Sequence, residues 1–550
     1  MKGTAQLGFA TIAELARRIE DLTLSPVELT KALLERIDRH EPKLHAFIAI
    51  TAERALEDAR RAEREITGGD YRGPLHGIPY ALKDIYETAG IETTACSRIF
   101  QGYVPSADAT TTRRLHEAGG VLLGKLVTHE FAHGGPSFDL PWPPARNPWN
   151  FDHVTGGSSS GSGAAVAAGL TPVALGTDTG GSIRSPAGLC GLVGLKPTYG
   201  LVSRSGVIAN SYSYDHCGPL TRSVEDAAIV LQCLAGHDPS DPASAEVTVP
   251  NYRSALTGNL KGMTIGVIRH FYEDDAPVSS EVHTAMEAAI GVLRGLGARV
   301  TEVRLRPLSI YQDIKVTQAE PEVFSIHQAD LRGRPENYGE DFRGRVLPAC
   351  LIGARDYLAA SRERARVVAE MQPIYAHCDA LLTVGPGPAP RFGGWRVIDF
   401  WQSGSITAPF NVTGGPALVQ CMGFTEKGLP MSLQLTGRPF DDATVLQVAD
   451  AYERETRWLD RRPNLSGAPG GPMPDVPAPA KASLSAAERD TVATIATRAG
   501  LNLGERDFEQ LCASAPYVSS RVDRVSRARE LCEPPTHIFH HHRSKLGILP

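Results

Sequence analysis

Residues 156–194 read GGSSSGSGAAVAAGLTPVALGTDTGGSIRSPAGLCGLVG, and 11 of these 39 positions are glycine. GGSSSGSG alone has the composition of a flexible linker. Its sequel does not: AAVAAG is a close-packing helical run, TPVALGTD a short apolar strand, and TGGSIRSPA a second glycine-rich turn opening onto another helix. Small residues at this density mean that backbone must approach backbone or a ligand. Ser182 falls in the second turn, directly after the strand, where N–H groups of Thr179, Gly180, Gly181 and Ser182 can converge on an anion. GxxxxGK[ST] is absent and no lysine follows the glycines, which argues against a phosphate loop. A hydroxyl nucleophile beside an oxyanion hole is the sharper reading. GxSxG does not surround Ser182, so an α/β-hydrolase elbow finds no support.

Outward from this segment, short apolar runs alternate with helical patterns: GIPYALKDIY (77–86), GGVLLGKLV (119–127), TPVALGTD (171–178), MTIGVIRH (263–270), DALLTVGP (379–386) and LPMSLQLTG (429–437). Such alternation predicts an α/β fold, a sheet covered by helices. Capping boxes at Thr11/Glu14 and Ser25/Glu28 start two helices ahead of it. A serine nucleophile needs a base, and Lys83 closes the apolar run GIPYALKD, where a solvated lysine is out of place. Burial lowers a lysine from about 10.4 and lets it accept a proton.

GIPYALKD (77–84), RNPWN (146–150), GGSSSGSGAAVAAG (156–169), ALGTDTGGSIRSPAGLCGLVGLKPTYG (174–200), CGPLTRSVEDAA (217–228) and GLPMSLQLTGRPFDDATVLQVADAYE (428–453) resemble the amidase signature family, in that family's order. The resemblance implies an amidase-signature fold, a mixed central sheet with helices on both faces. It also implies a Ser–cis-Ser–Lys triad: Ser182 as nucleophile, Ser158, 24 residues earlier, as the bridging serine, and Lys83 as base. Ser159, Asp178 and Arg184 are supporting positions, the last two read as an ion pair fixing the turn. Ser160 stands where the family usually has glycine. The implied chemistry is hydrolysis of a carboxamide, or of a urea- or carbamate-like C–N bond, through a seryl acyl-enzyme with no cofactor. Specificity in this family comes from loops outside the signature, 129–143, 205–216, 310–350 and 391–405 in this chain. Their aromatics include Phe131, Trp142, Tyr212 and Trp395; His129, His133, Phe138, Tyr214 and Trp401 are the pocket candidates.

HEFAH (129–133) competes with this reading, because H-E-x-x-H on a helix places two histidines on one face for zinc with Glu130 as base. Strand-like VLLGKLV before it and Gly134, Gly135 and Pro136 after it leave barely one helical turn, so no metal is expected. Lys+Arg 56 against Asp+Glu 62 gives a net charge of −6 with no basic block, which lowers the prior for nucleic acid and anionic membranes. MKGTAQLGFATIAELARRIE becomes a charged amphipathic helix before any apolar stretch of signal-peptide length, which points to the cytoplasm. Nine scattered cysteines without a CxxC pair fit reduced thiols.

The chain divides into a body (1–464), a Pro/Gly/Ala linker (465–484) and a C-terminal extension (485–550). One helix of the extension carries Val492, Ile495, Ala496 and Ala499, and a second carries Phe508, Leu511, Ala515, Val518, Val522 and Val525. Two such helices cannot bury both apolar faces alone; they must dock on the body or across a homodimer. LSAAERDTVATIATRAGLNLGERDFEQL (484–511) and CEPPTHIF (532–539) resemble the small subunit of the glutamine-dependent aspartyl/glutamyl-tRNA amidotransferase, whose amidase-type subunit resembles the body. Two functions therefore stand against each other. The favoured one is a self-sufficient amidohydrolase, homodimeric, acting on a small amide without nucleic acid, because a fused extension then has its docking surface in cis; the alternative is a glutaminase-type subunit that passes ammonia to a tRNA-binding partner.

Overall fold

All six apolar runs form strands of one eleven-stranded sheet. A computed structural model of the protein describes residues 7–525. Its strands are β1 (Phe47–Ile50), β2 (Pro79–Lys83), β3 (Val121–Leu126), β4 (Arg146–Asn147), β5 (Asn150–Val154), β6 (Val173–Thr177), β7 (Val193–Lys196), β8 (Cys217–Thr221), β9 (Thr264–Val267), β10 (Arg299–Glu302), β11 (Ala380–Val384), β12 (Ala417–Phe424) and β13 (Pro430–Gly437). β4 and β5 pair with each other; the others are ordered β1-β3-β2-β6-β8-β7-β12-β13-β11-β9-β10. Parallel pairing in β3–β2–β6 and β11–β9–β10, with antiparallel pairing elsewhere, makes the sheet mixed.

β2, β3, β6, β9, β11 and β13 are buried at every position. Successive strand residues point to opposite faces, so both faces of the sheet are covered there, and the strands read as unbroken apolar runs. The edge strand β10, RVTE, is largely exposed and carries Arg299 and Glu302, charges that suit an unpaired edge. Thr11 and Ser25 both close the expected capping boxes, on helices Ile12–Glu20 and Pro26–Leu44.

The glycine-rich segment is built for close approach rather than flexibility. GGSSSGSG runs into a helix, Ser160–Ala167, that is buried at every residue. A Cβ on Gly161 would collide with the Ala46 carbonyl and the Val127 backbone, so only glycine lets this helix lie against the strand ends. The helix Arg184–Cys190 follows β6 and packs against the Ser160–Ala167 helix and β7.

Residues 465–484 carry no helix or strand, yet they are tied to the body: Lys43 Nζ donates to the Gly467 carbonyl at 2.9 Å and Gly470 N–H to Asp152 at 2.8 Å. The extension forms helices Ala486–Arg498 and Glu505–Arg524. The second packs on the long helix Leu308–Gly333, the short helices Glu340–Val346 and Val397–Gln402 and the turn Leu347–Leu351 of the same chain. Leu511 and Cys512 join the main core, while Ala513, Val518 and Val522 cluster with Val316, Ile398 and Trp401. Ion pairs Arg343–Asp507 at 3.1 Å, Arg506–Glu340 at 2.6 Å and Arg521–Asp313 at 2.9 Å cross the junction. The docking surface required by the two amphipathic helices is therefore the body in cis. CEPPTHIF (532–539) lies outside the described residues.

Among the described residues no helix is long and apolar enough to cross a membrane. The eight cysteines among them are all free.

Candidate active site

Lys83 and Thr177 end the adjacent parallel strands β2 and β6, at the carboxyl edge where open α/β sheets place their ligands. Lys83 is fully buried, and its Nζ lies 2.7 Å from Ser158 Oγ and 2.9 Å from Thr177 Oγ1. Burial drives the ammonium down to about 7, a shift opposed by Asp215 and Asp178 nearby. The peptide bond Gly157–Ser158 is cis. Ser159 donates its N–H to the Ser182 carbonyl at 3.3 Å, which knits the two glycine-rich turns together. Its Oγ accepts the Thr177 N–H at 3.3 Å, anchoring the first turn to the end of β6. Ser160, in the place of the usual glycine, directs its hydroxyl to the Val127 carbonyl at 3.4 Å.

Ser182 lies in the second turn, on the wall of a cleft of about 410 Å³ that also exposes Gly157, Thr179, Gly180 and Gly181. Asp178 organises this turn. Its Oδ1 accepts from Gly181 N–H at 2.8 Å and from Arg184 Nη2 at 2.9 Å, and its Oδ2 accepts from Ile183 N–H at 3.2 Å. Burial alone would raise this carboxyl, but Arg184 and Asn411 hold it far below the usual range. Arg184 is itself fully buried and reaches the Thr407 carbonyl at 2.9 Å and Gln434 at 2.7 Å. The Asp178–Arg184 pair thus lies beneath the turn. One expectation is corrected: Gly181 N–H is spent on Asp178, leaving Thr179, Gly180 and Ser182 as the N–H groups of the turn without a protein acceptor among the described residues. Gly181 has φ +128°, and a Cβ there would strike the Thr407 side chain, so the position requires glycine.

The five pocket candidates scatter. His133 lines the cleft and pairs with Glu320 at 3.1 Å. His129 is packed beneath Gly157, its Nδ1 against the Gly134 carbonyl at 2.8 Å, and burial lowers its pKa to about 4. Phe138 lines a separate small cavity against Phe392. Tyr214 is fully buried with its hydroxyl on Gln318, and Trp401 packs against the C-terminal helix. An aromatic residue in a loop has no sequence signal for which side it faces, and these three face away from the cleft.

Sequence reasoning missed the cleft's cations. Lys315 and Arg345, with Gln312, Trp395 and Phe400, line the cleft together with Ser182's turn. Lys315 Nζ sits 3.3 Å from Glu320 and 5.6 Å over the Phe400 ring; Arg345 pairs with Asp341 at 3.0 Å and stacks over Trp395 and Phe400. Burial opposes ionisation of Glu320, but His133 and Lys315 hold it down to about 2. Lys315 and Glu320, like Asp313, are charged residues in a helix stretch buried at every position from Tyr311 to Glu320, a burial that the mixed polar and apolar run YQDIKVTQAE does not signal.

HEFAH forms a single 3₁₀ turn, Glu130–Ala132, broken by positive φ at Phe131 and Ala132. Its three polar side chains diverge: His129 faces the Gly134 carbonyl, Glu130 accepts from Ser97 Oγ at 2.6 Å and from Gly339 N–H at 2.8 Å, and His133 pairs with Glu320.

A mixed α/β sheet that holds a buried, readily deprotonated lysine behind a serine, next to a glycine-rich turn bearing a second serine, is suited to acyl transfer. The chain belongs to the amidase family, whose model, described as Amidase, matches residues 28–446. A glutamyl-tRNA(Gln) amidotransferase subunit from Geobacter metallireducens is 40% identical over 482 residues, 83% of this chain and 99% of that protein. The crystal structure of a Thermotoga maritima subunit of the same name is 32% identical with a TM-score of 0.70, covering 84% of this chain and 99% of that one. A structure described as an unexpected vestigial protein complex, revealing the origins of an s-triazine catabolic enzyme, is 30% identical with a TM-score of 0.76, covering 81% and 99%.

These relatives correct the expectation of a self-sufficient homodimeric amidohydrolase that meets no nucleic acid: the Geobacter relative is by name part of a tRNA amidotransferase. The charge argument failed because a net charge of −6 bounds only what this chain attracts by itself, and in an assembly another chain can carry the phosphate contacts.

Proposed function

We propose that this chain is the amidase subunit of a tRNA-dependent amidotransferase, acting in the cytoplasm, and that it splits the side-chain amide of glutamine and passes the ammonia to a partner. The observation that carries the reading is a match at 40% identity across 99% of a protein with that name. The site supports it chemically. Neutral Lys83 takes a proton through Ser158, and Ser182 Oγ attacks the amide carbonyl. N–H groups of Thr179, Gly180 and Ser182 stabilise the oxyanion that forms. Ser158 returns the proton to the departing ammonia, and water entering by the same relay frees the acid.

Glutamine brings a carboxylate, and Lys315 and Arg345 supply the cleft with cations to receive it. The charged side chains that line the cleft among the described residues are cationic, which favours recognition through the carboxylate end of glutamine. The test is ammonia release from L-glutamine and from glutaramate, its analogue without the amino group. It is run on the full chain alone and with the partner subunits and glutamyl-tRNA. Both amides should be hydrolysed slowly by the chain alone, and the partner with tRNA should raise the rate at least tenfold. Fast hydrolysis of simple amides that ignores both partner and tRNA would overturn the reading.

A further inference from the structure

Phe400 and the stretch Ser403–Thr407 line the cleft, and this segment is held at both ends. At the catalytic end, Thr407 Oγ1 donates to the Gly180 carbonyl at 2.5 Å, and the Thr407 carbonyl accepts from Arg184. Between the ends, Ser403 and Gly404 are exposed, and nothing lies within 4 Å of a Cβ built on Gly404. Ile406 packs against the core and its carbonyl accepts from Gln434 Nε2 at 3.1 Å, so it is the exposed part, Ser403–Gly404, whose position is set by its anchors and not by packing.

The far anchor comes from the C-terminal extension. The helix Val397–Gln402 ends at Phe400–Ser403, where the last carbonyls of any helix lack intrahelical partners. Arg521, only 4% exposed, satisfies them: Nε donates to the Trp401 carbonyl at 3.1 Å, and Nη2 donates to the carbonyls of Ser403 at 2.8 Å and Phe400 at 3.5 Å. Its remaining nitrogen, Nη1, bonds Asp313 at 2.9 Å, and Arg524 clasps the same carboxylate at 2.6 Å. Asp313 is the neighbour of Gln312 and lies two residues before Lys315, both of which line the cleft. One guanidinium thus fixes two walls, from a helix outside the region matched by the family model.

We propose that Arg521 is a positioning residue for the acyl-binding cleft, so that the C-terminal extension sets the shape of the site in cis. The proposal rests on Ser182 being the nucleophile. Lysine cannot replace the residue fully, because only a planar fork reaches three carbonyls and a carboxylate together.

Labelling of Ser182 in the full-length protein tests this, using methanesulfonyl fluoride, which needs only the serine and its relay, and phenylmethylsulfonyl fluoride, whose ring must enter the cleft. In Arg521→Met the small reagent should label Ser182 within twofold of the parent rate, while the aryl reagent slows at least tenfold. Arg521→Lys, which keeps the charge and serves if the methionine variant does not fold, should fall between. Arg524→Gln, which leaves the carbonyl contacts intact, should keep the parent ratio. An unchanged ratio of the two rates in folded Arg521→Met or Arg521→Lys would overturn the proposal, even if the melting temperature drops, since that is what a merely structural arginine would give. If neither reagent labels Ser182 in the parent protein, the nucleophile assignment fails first and the proposal falls with it.

Discussion

Lys83 meets the demand that the proposed serine relay places on a base: burial lowers it to about 7, so a large fraction is neutral at that pH, and it is close enough to Ser158 to exchange a proton. Turnover against pH should show an acid limb near 7, because protonated Lys83 cannot accept. Asp215 stabilises the ammonium, so Asp215→Asn should move that limb to lower pH. Lys83→Ala should cost roughly 10²–10⁴-fold in turnover. Steady-state rates from about pH 5 to 9, spanning the lysine's lowered range, check all three. A limb that stays in place in Asp215→Asn, or a Lys83→Ala enzyme of near-parent activity, would assign the proton acceptor to another group.

At the scale of elements, the turn Glu130–Ala132 separates two chemistries that share one motif. Glu130 is pushed up to about 8 by burial against the pull of Ser97 and Gly339, so at neutral pH it is mainly a protonated hydrogen-bonding group. Glutamine can keep both partners, its Oε1 accepting from Gly339 N–H and its Nε2 donating to Ser97 Oγ. Glu130→Gln should therefore keep stability within about 1 kcal/mol and activity within about threefold, and dialysis against a strong chelator should change neither. One equivalent of zinc with chelator-sensitive turnover would return the active site to HEFAH. The same turn shows why motifs were legible and the cleft was not. The proposed triad positions, Lys83, Ser158 and Ser182, lie in local segments whose apolar and glycine patterns reveal strand ends and tight turns. Lys315 and Arg345 reach Ser182's cleft from 133 and 163 positions away, through helix packing that no local pattern encodes. Tyr214 and Trp401 misled for the converse reason: the segments that carry them border the site, but their rings complete the core.

For the whole molecule, the extension is part of the fold. Removing residues 465–550 would uncover Val316, Ile398 and Trp401 and take both arginines from the buried carboxylate of Asp313. Each fully buried Val or Leu side chain is worth about 1.5–3 kcal/mol. Leu511, Val518 and Val522 alone thus represent a large share of the roughly 5–15 kcal/mol by which a domain is stable. The truncated body should precipitate, or melt at least about 5 °C lower, and residues 485–550 supplied as a separate chain should bind it and recover most of the loss. Limited proteolysis gives an independent reading. Cleavage within 465–484 should be slow, because Lys43, Asp152 and Arg506 hold that stretch, and the nicked pieces should travel together on gel filtration. If the truncated body is soluble, melts with the parent and ignores the added extension, the extension contributes nothing to stability, and its contacts with the helix Leu308–Gly333 are incidental.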